Sequence, residues 1–461
     1  NLNLLLICSF GIYYLRSKLI KDKFDFVTKI IFLFFFILFF STCLSLAKSL
    51  YFNEYNEIYL SKLIKSLLFF RFFLFLIIVS LLTKYNILRF RYFFLAAGIS
   101  SIVLASDMIF QHLLGFNILG FESQEFRASS FYGDEYVAGG HIQRFGFFAI
   151  FLALITFKNK SYTQFTVTTI VVCVLFFSIL FSGNRMPLIL FLFGLLIILI
   201  SGLKMRKILL ASSIIIFLIF QFMISVDEKF KKNISNEYSS FFGNAANTLL
   251  SLYGSGLDEL AEGRKKSSFS IDKRIKRADV EYFYGGQKTT DVEMSISQKT
   301  TFLKGEKTSF YRKAFLASIY TWKNNKIFGN GIKSFYTDCH NLKKSNPKIN
   351  LEEDEYHNKI NLSCSNHPHN YYFQILTTAG IAGLLVVFVT GLLFIFFIFK
   401  NIKFLKRFDM HSIILLSTSI SFFIEIFPIR SSGSLYTSNN ATYVVLVGAI
   451  ILGYKELLKV K

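Results

Sequence analysis

The chain has 461 residues, of which 53% are hydrophobic and 18% aromatic, with 58 Phe, only 4 Pro, 17% charged residues and a mean hydropathy of +0.48. Such values exclude an ordinary soluble domain and describe long apolar runs joined by polar connections, the signature of a polytopic α-helical membrane protein. The net charge of +22 does not imply a nucleic-acid partner, because Lys and Arg gathered in cytoplasmic loops account for it.

Apolar runs long enough to cross a bilayer cover roughly 2–15, 26–47, 63–82, 92–114, 137–157, 163–181, 186–203, 207–225, 371–399, 411–428 and 441–457, about eleven spans with the first cut short. No cleavable signal peptide is evident, and the chain opens on Asn1. One more span upstream is therefore expected, giving about twelve spans with both ends in the cytoplasm. The connecting charges set the orientation. Arg16, Lys18, Lys21, Lys23 and Lys29 follow the first run, and Lys84, Arg89 and Arg91 the third. Lys158 and Lys160 follow the fifth, Lys204, Arg206 and Lys207 the seventh, and Lys400, Lys403, Lys406 and Arg407 the ninth. Every second connection is basic and should be cytoplasmic.

The alternate connections should face outward. Residues 115–136 are acidic through Glu122, Glu125, Asp134 and Glu135, the turn at Ser182 to Arg185 is very short, and residues 226–368 form one long polar segment. The chain thus divides into N-terminal spans (1–225), a large, mainly helical outward loop domain (226–370) and three C-terminal spans (371–461). Within the loop domain, residues 309–323 place Tyr311, Phe315, Ile319 and Trp322 at helical spacing, with Ser309 as N-cap. IFGNGIKSF follows as a glycine turn, and residues 255–308, rich in Lys, Ser and Thr, are expected to be partly mobile or ordered by substrate. Cys8, Cys43 and Cys173 lie in apolar runs and read as packing residues. Cys339 and Cys364, in the polar segment, are placed to form a disulfide. With His340 and His357 nearby a metal site is conceivable, but the spacing matches no standard zinc pattern, so no metal and no cofactor are expected.

Four outward regions carry candidate chemistry. In FRASSFYGDEYVAGGHIQRFGFF, residues 126–148, Arg127 precedes a turn, and His141 and Arg144 lie one turn apart on a helix face. A loop acid–base pair with a snorkelling Arg is the plainer alternative. In FSGNRMPLIL, Arg185 stands at a helix N-terminus, where a cation opposes the dipole unless an anion binds there. An interfacial anchor explains it equally well. Arg312, in the first turn of the loop-domain helix, repeats the argument more weakly. In SNHPHNYYFQILTTAGIAGLL, Pro368 reads as a first helical residue, which puts His369 and Asn370 in the first turn. The positive end of the dipole would keep a histidine there neutral and able to accept a proton, whereas the bland reading makes His367 and His369 interfacial anchors. Two arginines and a histidine on one membrane face are what a site for a lipid-linked pyrophosphate needs: cations for the leaving diphosphate, a base for an acceptor hydroxyl.

These pieces, in this order, resemble the O-antigen ligase and O-antigen polymerase superfamily of bacterial membrane glycosyltransferases. The resemblance rests on SGNRMPLIL after a span, on the helix with Arg312 and Trp322 followed by FGNGIKSF, and on HPHNYYFQILTTAGIAGLL before the final spans. FRASSFYGDEYVAGG resembles the family's earlier outward loop, and FPIRSSGSLYTSNNATYVVLVGAIILG, with Arg430, its last loop and span. The likeness covers most of the chain from about residue 120 onward. It departs from the family at Asn184, where many members have Ser, and His367 beside His369 leaves two histidines to choose between.

The resemblance implies an all-α, GT-C-like polytopic transmembrane bundle in the inner membrane, with its active site facing the periplasm. It implies metal-independent transfer of a glycan from an undecaprenyl-diphosphate carrier to a lipid A-core acceptor, or, in a polymerase, to another lipid-linked glycan. Carried over by motif, Arg185 and His369 would be catalytic. Arg312, Arg127, Arg144, His367, Asn370 and Arg430 would bind substrate. A rival of another class is a lipid or polysaccharide transporter, which would favour charged residues and broken helices near the midplane; Arg71 and Arg144 lean that way.

Overall fold

The computed structural model describes residues 2–22, 24–52, 57–123, 127–133, 135, 137–200, 205–226, 228, 230–232, 235, 310–345, 363–400, 409–431 and 433–460. Among these the regular elements are all helical. The N-terminal part holds α1 (Leu2–Lys21), α2 (Phe26–Tyr51), α3 (Glu57–Lys84), α4 (Arg91–Leu114), a 3-10 turn (Ser130–Tyr132), α5 (Ala138–Thr156), α6 (Ser161–Phe181), α7 (Arg185–Ile200) and α8 (Arg206–Val226). The loop domain contributes α9 (Phe310–Trp322) and α10 (Ser334–Ser345), and α11 (Tyr371–Lys400), α12 (Met410–Glu425) and α13 (Ser438–Val460) close the chain. The helix expected over 309–323 is therefore present as α9. Its expected cap Ser309, and residues 255–308, lie outside the described residues.

Among the described residues eight helices are long and apolar enough to cross a membrane: α2 to α6, α8, α11 over Tyr371–Phe397 and α13 over Ser438–Leu457. The runs expected at 186–203 and 411–428 form α7 and α12, apolar helices of 16 residues each. At 1.5 Å per residue these are about 24 Å long, short of a hydrocarbon core of about 30 Å. Local chemistry sets the helix limits. Asp25 caps α2 by accepting from the Thr28 amide at 2.9 Å, Asp409 caps α12 by accepting from the Ser412 amide at 2.8 Å, and Gly115 ends α4 in the left-handed region at φ 84°.

The core mixes aliphatic side chains with many aromatic rings. Phe35 stacks on Phe69 with ring centroids 5.4 Å apart, and Phe147 meets Phe191 at 5.3 Å. Helix α3 is packed by α1, α2 and α13, while α5 is packed by α4, α6, α7 and α12. At one end of the bundle Lys84 pairs with Asp22 and Lys455 with Asp25, each at 3.0 Å, which gathers the α1–α2 turn and the last turns of α3 and α13. The loops after α4, α6 and α12, and the loop-domain helices, belong to the opposite end.

Helix α11 is not continuous. Gly380 breaks it with φ 64° and ψ −162°, a conformation open to glycine alone. The glycine turn of the loop domain docks into the break. The Asn330 and Gly331 amides donate to the Thr377 and Thr378 carbonyls at 2.9 Å, and the Ile381 and Ala382 amides donate to the Lys326 and Ile327 carbonyls at 3.0 Å. Two donors and two acceptors at the break are thus given backbone partners, as an irregular segment inside an apolar bundle requires.

Candidate functional site

At the end of the bundle away from the Lys84–Asp22 pair, one corner begins with a buried polar scaffold in α4. The Ser129 and Ser130 amides donate to Gln111 Oε1 at 2.9 and 2.7 Å, and the Ser130 hydroxyl bonds to Asp107. The Ala128 amide donates to the Phe181 carbonyl at 2.9 Å, which lays the loop across the end of α6. Arg127 consequently lies over Gly183, where an added Cβ would come within 3.0 Å of Arg127 Cγ. Gly183 has φ 67°, so its place in the turn is suited to glycine twice over. Gly139, in the first turn of α5, abuts Ser182 and Asn184. Helix α7 starts at Arg185, as the sequence suggests, with the Asn184 amide donating to the Ser182 hydroxyl at 3.2 Å. Arg127 and the α7 start bearing Arg185 thus share the corner where α5, α6 and α7 meet. Just below, His141 Nδ1 lies 3.0 Å from the Tyr132 hydroxyl.

The entry to α11 is built differently from the sequence expectation. The helix starts at Tyr371, not at Pro368, because Asn370 is its N-cap: Oδ1 accepts from the Tyr372 amide at 2.9 Å and the Phe373 amide at 3.2 Å. His369 stands just outside the helix with φ 58°, a left-handed conformation uncommon outside glycine. Burial pushes its imidazole below the usual histidine range, so desolvation, rather than a place in the first turn, favours the neutral form. The rings of His367 and His369 lie 4.2 Å apart, and both side chains are partly buried, so burial does not separate the two. The Asn370 carboxamide also donates to the carbonyls of Pro428 at 2.7 Å and Arg430 at 3.2 Å. Two further latches hold the last loop. Tyr372 donates to the Ile426 carbonyl at 2.5 Å, and Gln374 bonds to the Ser434 hydroxyl and the Leu435 amide at 2.7 and 2.8 Å.

Beneath this entry lies a fully buried carboxylate, Glu425, at the end of α12. Arg144 approaches it as a fork, Nε to Oε2 at 2.9 Å and Nη2 to Oε1 at 2.8 Å. Tyr371 donates to Oε1 at 2.9 Å, and Arg430 forms an ion pair with Oε2. Arg144 also reaches Asn440 Oδ1 at 2.7 Å. Two guanidinium groups share one carboxylate, so the cluster carries a net positive charge. Arg144 and Arg430, two of the expected site residues, are therefore brought together by a residue that the sequence reading passed over. Its signal was a lone acid in the apolar run SFFIEIFP, where an ionisable side chain needs a partner.

The loop domain abuts the same entry. Phe315 of α9 stacks on Phe373 of α11 with centroids 4.6 Å apart, and Arg312 lies one turn earlier on α9. Cys339 of α10 is bonded to Cys364, with Cα atoms 5.5 Å apart, packed among Ala317, Phe335 and Leu342. The two cysteines are thereby consumed as candidate metal ligands, and His357 lies outside the described residues. Among the described residues no three His, Cys, Asp or Glu side chains gather as a metal would require. Lys62 of α3 reaches across to the Thr337 hydroxyl at 3.0 Å. Nearby, burial raises the Asp338 carboxyl to about 6 against the pull of Lys62.

Residues 169–388, from α6 into α11, match the family model described as O-antigen ligase. This stretch contains Arg185, Arg312, His367, His369 and Asn370, while Arg127, Arg144 and Arg430 lie outside it. No curated protein and no solved structure matches the chain.

Proposed function

We propose, from the match of residues 169–388 to the O-antigen ligase model, that the chain is a GT-C-type glycosyltransferase working at the periplasmic face of the bacterial inner membrane. It takes a glycan from an undecaprenyl-diphosphate carrier and joins it to a lipid A-core acceptor. The acceptor hydroxyl attacks the anomeric carbon of the glycan and gives its proton to His369. The bond from that carbon to the diphosphate oxygen breaks, and the polyprenyl diphosphate leaves with its added negative charge. Arg185 and Arg312 meet that charge. Arg127 and Arg430 add positive potential, Arg144 secures the same region through Glu425, and His367 stands beside the base.

One observation carries this reading: His369, depressed toward its neutral form by burial, stands at the entry of α11 within the family-matched stretch. The same chemistry with another lipid-linked glycan as acceptor would make the protein a polymerase. A glycan profile of a strain lacking the chain tests the assignment. Loss of a ligase leaves polymer on the carrier lipid, loss of a polymerase leaves a single repeat on the core, and an unchanged profile rejects both.

A further inference from the structure

Three site-bearing segments come from distant parts of the sequence, and Glu425 touches all three. Arg144 is in α5, whose first turn abuts the Ser182–Asn184 turn that leads into Arg185. Tyr371 is two residues beyond His369. Arg430 lies in the last loop, and its own carbonyl accepts from Asn370, the cap of the His369 turn. The carboxylate is saturated: Oε1 accepts from Arg144 and Tyr371, and Oε2 from Arg144 and Arg430. Arg144 lies six residues into α5, roughly 9 Å below its start. Glu425 is thus held under the outward surface, without a place in contact with substrate. A fully buried acid among apolar helices is costly unless its partners are fixed. Fixed partners are what an electrostatic site needs, since a misplacement of about 1 Å can cost a hundredfold in rate.

We propose that Glu425 is a positioning residue of this site, which sets Arg430 and the Tyr371–His369 turn in register with the α5 corner. The proposal rests on the glycosyl-transfer reading above. It concerns orientation in the transition state, so its loss lowers kcat and kcat/KM together, whereas a purely structural role lowers the folded fraction and leaves kcat per folded molecule unchanged.

The test uses the full chain, purified in lipid nanodiscs, with a polyprenyl-diphosphate-linked oligosaccharide as donor and lipid A-core as acceptor. Glu425→Gln keeps the shape and an acceptor for Tyr371 but removes the charge between the two guanidinium groups. We expect kcat to fall about a hundredfold in the folded fraction isolated by size exclusion. Glu425→Asp, which keeps the charge at a shorter reach, should recover part of the loss. Should Glu425→Gln fail to fold, Tyr371→Phe removes a single hydroxyl and should still lower kcat about tenfold with KM little changed. A wild-type kcat in folded Glu425→Gln, or, where that variant does not fold, in Tyr371→Phe, overturns the proposal while the transfer reading stands. A wild-type protein that moves glycan to neither lipid A-core nor a second lipid-linked oligosaccharide overturns the transfer reading and the proposal together.

Discussion

His369 is held by its neighbours more than by its own helix. Pro368 and Asn370 beside it are buried, and the Asn370 cap fixes where α11 begins. As the base of the proposed reaction it must be neutral, and burial depresses its pKa. The sign follows directly: the neutral form predominates above the folded pKa and is lost as pH falls through it. The acid limb of the pH–rate profile should therefore lie below about 6.5, the ordinary histidine value. His369→Ala should abolish transfer while the protein still inserts and binds lipid-linked donor, and His367→Ala should cost much less. Purified variants assayed with lipid-linked donor decide this, and full activity in His369→Ala would end the acid–base role. For the arginines, Arg185→Ala and Arg312→Ala should each cost on the order of 2 kcal/mol or more in transition-state stabilisation. Lys at either position should restore only part, for want of the two-pronged fork; full rescue by Lys in kcat/KM would argue for a bare point charge instead. The placing of Arg185 and Arg312 in the first turns of α7 and α9 was legible in the sequence, because a cation at a helix start is conspicuous. Glu425 was not, because its meaning depends on Arg144 and Tyr371, which are distant from it in the chain and adjacent only after folding.

At the scale of elements, the loop domain is locked to the membrane helices by two devices. One is the docking of the 326–331 turn into the break at Gly380. A Cβ on residue 380 would collide with the carbonyl oxygen of Ile327 and would also have to adopt φ 64°. Gly380→Ala should therefore destabilise the protein by at least about 2 kcal/mol, read as a lowered melting temperature in detergent. An unchanged melting temperature would mean the break is not held by this turn. The other device is the Cys339–Cys364 disulfide, with a sequence separation of 25 residues. Loop-closure entropy assigns such a bond roughly 3–4 kcal/mol. Replacing both cysteines by Ser should lower thermal stability and slow transfer, since Cys364 lies five residues before His369. Reduction by dithiothreitol should do the same, and stability indifferent to both treatments would show the bond to be dispensable. The glycine turn and the cysteine pair could be read from the sequence. The broken helix could not, because residues 371–399 form one uninterrupted apolar run.

For the whole molecule, the alternation of basic and non-basic connections assigns α9, α10 and the Arg185 turn to the outward side, and Lys158 to the cytoplasmic side. In intact cells opened only at the outer membrane, a membrane-impermeant maleimide should label Ser345→Cys and spare Asn159→Cys. The reverse pattern would invert the protein and remove the periplasmic reading. The sequence by itself determined the all-helical class and the helix positions, because twenty-residue apolar runs in lipid have little choice but to satisfy their own backbone. It also carried the likeness that the match of residues 169–388 to the O-antigen ligase model repeats. Only the tertiary structure decided that Asn370 caps α11, that Gly380 breaks it, and that Arg144, Tyr371 and Arg430 converge on Glu425. Helix formation is local and leaves a mark in every stretch of sequence. The pairing of a buried acid with arginines from other segments is enforced by the cost of leaving it alone in an apolar bundle, and that cost fixes a partner without naming it.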